Sequence, residues 1–224
     1  MPYGGFASSI VVDGHFAHPL PETLPSEAAA VLMCAGITVY SALRSPAARA
    51  AHKIGIIGVG GLGHLAIQFA HALGFDVTAV SSSPQKREQA LSFGADSFIS
   101  LDDGAALEQA EFCFDLLLCT AHGDFRWEPL LEILKKRGTL VLVGFPYLSL
   151  NTTDLVAHEL SIVGSFLGNR ATMKEMLSFA QEHGIVPLVE LMPMSQVNEA
   201  IQRVRQNKAR YRIVLVNDTA GAGG

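Results

Sequence analysis

From Lys53 onward, short apolar runs alternate with amphipathic stretches. The runs "KIGIIG" (53–58), "DVTAV" (76–80), "DSFIS" (96–100), "CFDLLLC" (113–119), "TLVLVG" (139–144) and "LSIVGS" (160–165) read as six strands. Each is short and rich in Val, Ile, Leu or Phe, the pattern of strands covered on both faces. Between them the spacing predicts helices over Leu62–Leu73, Pro84–Phe93, Ala105–Gln109 and Trp127–Lys136. The second follows three serines, one of them read as its N-cap, with Pro84 at its first position. Gly74 and Gly94 stand where helix stops belong. This alternation predicts an α/β chain with a doubly wound, parallel, Rossmann-type sheet in order 3-2-1-4-5-6.

The flanks break the pattern. Residues 1–42 hold a strand-like "FASSIVV", then the Pro-spaced "HPLPETLPSEAAAV", in which Ser26 reads as a helix cap. Residues 183–224 give a strand-like "IVPLVEL", a helix from Ser195 to about Gln206, a last strand "RYRIVLV" and the tail "TAGAGG", read as frayed. Residues 43–182 are thus expected to be one nucleotide-binding domain, with 1–42 and 183–224 as pieces of a second domain split around it. Neither piece promises a core of its own.

Composition narrows the function classes. The 224 residues carry a formal charge of -5, 49% hydrophobic and 17% charged residues. A net acidic chain argues against nucleic acid or an anionic membrane as partner. The cysteines, Cys34, Cys113 and Cys119, form no disulfide framework, which fits a reducing cytoplasm. The N-terminus has no signal-peptide pattern. The uncharged run Ala28–Leu43 reads as too short and mixed for a membrane span.

The candidate chemistry begins at Gly58-x-Gly60-Gly61-Leu62-Gly63, between the first strand and the first helix of the sheet. Glycines at this spacing allow a tight turn, close backbone approach to a pyrophosphate and close helix packing, and the helix start favours phosphate. A plain glycine-rich turn or a methyltransferase loop carries similar letters, but the position at the first of six strands favours a dinucleotide. An NAD site wants an acid at the end of the second strand. Here Ser81, Ser82 and Ser83 come first, then Lys86 and Arg87, and Asp76 lies at the other end of the strand. Hydroxyls and cations suit a 2′-phosphate, so NADP is the expected cofactor. A serine cap with a solvated basic helix face is the plainer alternative.

With these pieces placed, the chain resembles the zinc-type medium-chain dehydrogenases, in the branch that includes cinnamyl alcohol dehydrogenase. The resemblance runs from Gly4 to about Val216, through "GGFASSIVVD", "AAAVLMCAGITVYSAL", "GIIGVGGLGHLAIQFAHALG", "GSFLGN" and "ARYRIVLV". It implies a GroES-like catalytic domain beside the Rossmann domain, and NADP(H)-dependent interconversion of alcohols and aldehydes. It also implies that Cys34 is a ligand of the catalytic zinc, with Thr38 against the nicotinamide. Gly144, Ser165 and Leu167 would line the nicotinamide pocket, Arg212 would lie near the cofactor phosphates, and Ser81–Ser83 with Lys86 would hold the 2′-phosphate. His64 is expected to pack rather than to bind metal. The family's zinc polarises the substrate oxygen while the nicotinamide exchanges hydride with its carbon.

One departure is large. The family's other catalytic ligands, a Cys and a Gly-His-Glu, and its four-cysteine structural-zinc lobe are not found in these 224 residues. The expectation is therefore a shortened form in which Cys34 stands alone, while Cys113 and Cys119 are expected to be buried. The alternative is a non-catalytic NADP(H)-binding module. A zinc-independent quinone-reductase type is disfavoured by Cys34 itself. Self-association as a homodimer is expected at the edge strand "ELSIVGSFLG".

Overall fold

The computed structural model describes residues 5–7 and 9–217. The strands are β1 (Lys53–Ile57), β2 (Asp76–Ser81), β3 (Ser97–Ser100), β4 (Phe114–Cys119), β5 (Leu134–Leu142), β6 (Ser161–Gly164), β7 (Val189–Pro193) and β8 (Arg212–Val216). The helices are α1 (Ser26–Val31), α2 (Ile37–Leu43), α3 (Pro46–Arg49), α4 (Gly63–Ala72), α5 (Arg87–Ser92), α6 (Gly104–Gln109), α7 (Glu128–Glu132), α8 (Thr152–Ala157), α9 (Arg170–Glu182) and α10 (Val197–Arg205). The chain forms two compact units: Ala35–Gly168, and the residues up to Cys34 taken with those from Asn169 on.

The first unit contains the expected sheet. Its six strands run parallel in order 3-2-1-4-5-6. Ile54, Ile56 and Ile57 of β1, Val77, Ala79 and Val80 of β2, and Leu116–Leu118 of β4 are all buried. Burying each such large aliphatic side chain is worth roughly 1.5–3 kcal/mol. Helix α4 presents Leu65, Ile67, Phe69 and Ala70 to this core, and Phe69 meets Tyr40 of α2 edge-to-face at 5.4 Å. The chain leaves α4 and α5 through left-handed Gly74 (φ 86°) and Gly94 (φ 101°), where a Cβ would be strained.

Asp115 of β4 ties the sheet at its amino ends. Its carboxylate accepts the N–H groups of His52 (3.0 Å) and Lys53 (2.9 Å) and the Lys135 ammonium (2.7 Å). Burial pushes this carboxyl up, but the Lys135 hydrogen bond and the two N–H donors outweigh it and hold the pKa below its ordinary value.

In the second unit, β7 and β8 pair in parallel from Val189↔Arg212 to Pro193↔Val216, with α1 and α10 packed against them. The Glu190 carboxylate receives the Arg203 guanidinium and the Arg210 N–H. Helix α9 starts at Asn169, whose side chain accepts from Thr172 N at 3.0 Å.

Several expectations change. "FASSIVV" forms no strand among the described residues: Ile10, Val11 and Val12 are exposed, with no neighbouring strand to pair with their backbone. Ser26 is the first helical residue, so the cap position falls on Pro25, which makes no side-chain cap bond; neither does Ser83 before the short 3-10 turn Pro84–Lys86. The helix expected over Trp127–Lys136 ends at Glu132, because the chain enters β5 early. Phe114 pairs with Leu134, and a register shift, with Arg137 left-handed (φ 65°), precedes the pairing of Leu116 with Thr139. Helix α9 was not foreseen. The helical run Ser26–Leu43 is long and apolar enough by length and composition to cross a membrane, but 67% of it is buried inside the protein, as in a core helix. The tail "TAGAGG" lies outside the described residues.

Candidate functional site

The glycine loop lies between the carboxyl end of β1 and the start of α4. Gly58 adopts φ 92° and donates its N–H to Val80 O (2.8 Å), so the turn is locked to β2. At Gly63, the first residue of α4, a Cβ would stand 1.8 Å from Gly58 O, so no larger residue fits without moving the loop. A Cβ on Gly60 would meet nothing within 4 Å, which leaves the backbone there open to a ligand. Leu62 precedes the helix and no side chain caps it. His64 is fully buried, with Nδ1 3.0 Å from Gly60 O. A carbonyl only accepts, so Nδ1 carries the proton and the ring braces the loop from within.

Beside the loop, β2 ends in Ser81, which is buried; its hydroxyl accepts the N–H of Ser83 at 3.2 Å. Ser82 is exposed and Ser83 half-buried. Lys86 reaches back across this turn and donates to Val59 O at 2.6 Å. Burial lowers its ammonium pKa. The loop of β1 and the serine turn of β2 are therefore joined through Lys86. Asp76, at the opposite end of β2, pairs with Lys53 at 3.1 Å and is committed there.

On the other side, β4 continues into Thr120, whose hydroxyl lies 3.1 Å from Ile57 O and 2.9 Å from Gly58 O. Gly144 follows β5, and a Cβ there would stand 2.1 Å from Ala121 O. Ser165 follows β6, its N–H donating to Leu142 O (2.9 Å), and Leu167 is exposed. Thr38 is buried on α2. The expected residues Gly58, Gly60, Gly61, Leu62, Gly63, Ser81, Ser82, Ser83, Lys86, Gly144 and Ser165 thus gather at or just beyond the carboxyl ends of β1, β2, β5 and β6. In an open α/β sheet this is where ligands bind, at the point where strand order reverses. Thr120, Ala121 and His122 belong to the same edge and were missed. Their signal was the strand order itself, which puts β4 beside β1.

Cys34 and Arg212 lie in the second unit. Cys34 is exposed within a π turn, Leu32–Gly36. Arg212 opens β8, and burial lowers its guanidinium pKa. Cys119 is buried, which raises its thiol pKa, and Cys113 is half-buried. Among the described residues, no three His, Cys, Asp or Glu side chains come together in a group that could hold a metal. The residues present therefore fit a dinucleotide at the sheet edge and do not by themselves fit a catalytic zinc.

Comparison with known proteins agrees with the fold. Over 215 residues the chain is 41% identical to the probable formaldehyde dehydrogenase AdhA of Bacillus subtilis, covering 95% of this chain and 62% of that protein. It is 38% identical to the NADP-dependent alcohol dehydrogenase C 1 of Mycolicibacterium smegmatis, covering 97% and 62%. The cinnamyl alcohol dehydrogenase SbCAD4 of Sorghum bicolor superposes with a TM-score of 0.82 at 39% identity, covering 91% of this chain and 58% of that one. The chain thus spans about three fifths of the length of the relatives it matches. Residues 61–182 match the zinc-binding dehydrogenase domain, from the glycine loop to the end of α9. With its loop, its sheet and these likenesses in agreement, the chain belongs to the zinc-binding dehydrogenase family.

Proposed function

We propose that this chain supplies the NADP(H)-binding part of an alcohol dehydrogenase that interconverts alcohols and aldehydes. The observation that carries the reading is the turn after β2, where buried Ser81 and half-buried Lys86 stand beside the glycine loop without a carboxylate. Gly58–Gly63 and the start of α4 would take the pyrophosphate, and Ser81–Ser83 with Lys86 the 2′-phosphate. Gly144, Ser165, Leu167 and Thr38 would face the nicotinamide, with Arg212 toward the phosphates. The bound cofactor would supply the hydride acceptor or donor; the chain's own residues bind and orient it.

Cys34 is proposed as one zinc ligand of the family's catalytic site. No group of three or more His, Cys, Asp or Glu side chains that could complete its coordination is found among the described residues. A non-catalytic NADP(H)-binding module is the second reading, and it rests on the same glycine loop and serine turn. Residues 1–42 and 183–224 are read as parts of a GroES-like catalytic domain around a nucleotide domain over 43–182; the β7–β8 pair with α1 and α10 supports this. A homodimer through β6 fits that strand's exposed, single-neighbour edge, and three cysteines outside any disulfide fit a cytoplasmic setting.

Calorimetric titration tests the cofactor reading. NADPH should bind more tightly than NADH by on the order of tenfold or more, since one charge-assisted phosphate contact is worth about 1.5–3 kcal/mol. Ser81→Asp should swing preference toward NADH. Equal or reversed affinities in the unsubstituted chain would overturn the reading.

A further inference from the structure

Residues 120–124 and 143–147 leave β4 and β5 side by side. Val143 N and Gly144 N both donate to Cys119 O, at 3.0 and 3.1 Å. Further out, Gly123 and Asp124 pair in parallel with Pro146 and Tyr147, and Trp127 Nε1 donates to Tyr147 O at 2.8 Å. Between these levels one side chain makes the link. His122 Nδ1 lies 3.2 Å from Phe145 N, and the two rings are stacked nearly parallel, 7° apart with centroids at 5.9 Å. A backbone N–H can only donate, so Nδ1 is the acceptor and the neutral ring carries its proton on Nε2.

Ala121, next to His122, is wedged between two glycines. A Cβ on Gly58 would stand 2.7 Å from Ala121 Cβ, and one on Gly144 would stand 2.1 Å from Ala121 O. The backbone at residue 121 therefore sets the spacing between the glycine loop of β1 and Gly144 of β5. Phe145 is 74% exposed and His122 is exposed too, so core burial does not account for their pairing.

We propose that His122 is a positioning residue for the nicotinamide half of the cofactor site, acting through its acceptor bond to Phe145 N. The proposal rests on the NADP(H) reading above. The tie holds Ala121 against both glycines, and so fixes the ledge formed by the carboxyl ends of β1, β4 and β5. The adenosine half, at the turn of β2, lies outside its reach.

That division makes the test. In the full chain, His122→Leu removes the acceptor, while His122→Asn offers Oδ1 near the place of Nδ1. Affinities are measured for NADPH and for 2′,5′-ADP, which lacks the nicotinamide half. His122→Leu should weaken NADPH by about three- to tenfold, the range of one neutral hydrogen bond. It should leave 2′,5′-ADP unchanged, and His122→Asn should recover most of the loss. Equal loss for both ligands, or no loss for either, would overturn the positioning role. Wild-type protein that binds neither ligand would overturn the cofactor reading itself. Long-range 15N–1H NMR of the unliganded wild-type chain needs neither ligand nor a folded variant. An unprotonated Nδ1 at His122 is the expected result, and a protonated one would refute the tie.

Discussion

The two units bury their strands differently. In the first, β1, β2 and β4 lie in the middle of the sheet with nearly every residue buried, and α4 covers them with a continuous apolar face. In the second, β7 and β8 form a two-stranded sheet whose residues are mostly half-exposed, and Leu188, Leu191 and Val216 face outward. A pair of strands gains stability only from what packs on it. The first unit supplies that packing from its own sequence. The second, with exposed Phe6, Ile10, Val11, Val12 and Phe16 in its leading segment, leaves much apolar surface uncovered.

Substitutions can break or sharpen this contrast. The largest effect is expected at Trp127, fully buried and hydrogen-bonded through Nε1: Trp127→Ala should lower stability by about 3–5 kcal/mol in urea denaturation. Next comes Asp115→Ala, which strands three donors at the amino ends of β1, β4 and β5 and should cost about 1.5–3 kcal/mol at neutral pH. Its effect should depend on acidity in one direction. The folded pKa lies below the ordinary 3.8, so the carboxylate's contribution is whole above that value and fades as pH falls through the folded pKa. The gap between wild type and variant, followed by denaturation at stepped pH, should therefore close below about pH 4; a gap that widened there would contradict the assignment. Gly63→Ala should cost about 1–3 kcal/mol and weaken NADPH together with stability, because its methyl meets Gly58 O. At the other extreme, Leu191→Ser in the second unit should stay within about 0.5 kcal/mol, since that side chain is 55% exposed. A loss at Leu191 comparable with that at Trp127 would erase the contrast between the units.

The same contrast explains what could be read from the letters alone. Strands buried on both faces are mostly apolar, so β1, β2 and β4 announce themselves, and the glycine loop follows from its place after β1. "FASSIVV" has equally strand-like composition, but pairing depends on a neighbour that no local pattern reveals. The early start of β5 was hidden because Lys135, Lys136 and Arg137 look like the end of a helix, whereas tertiary pairing of Leu134 with Phe114 wins. Helix α9 did carry a signal, Asn169 capping toward Thr172 before Met176, Leu177 and Ala180, which are buried at helical spacing. The serine turn was legible as chemistry, though not the bond from Lys86 to Val59 O, since a long flexible side chain has many reachable partners. His122's place at this edge follows from the strand order, but its bond to Phe145 N was illegible for a similar reason: that partner lies 23 residues away, on another strand's exit.

The wedge at Ala121 has a consequence for how this site can change. Gly58, Ala121 and Gly144 share one small volume, so their tolerances are interdependent. A methyl added at Gly58 or Gly144 meets residue 121 at once, and a larger side chain at 121 has Gly58 directly against its Cβ. In a combinatorial library randomised at all three positions, functional clones should be confined to the smallest residues and show strong epistasis. Single-site tolerance at any one position would then misjudge which combinations an evolving chain can reach.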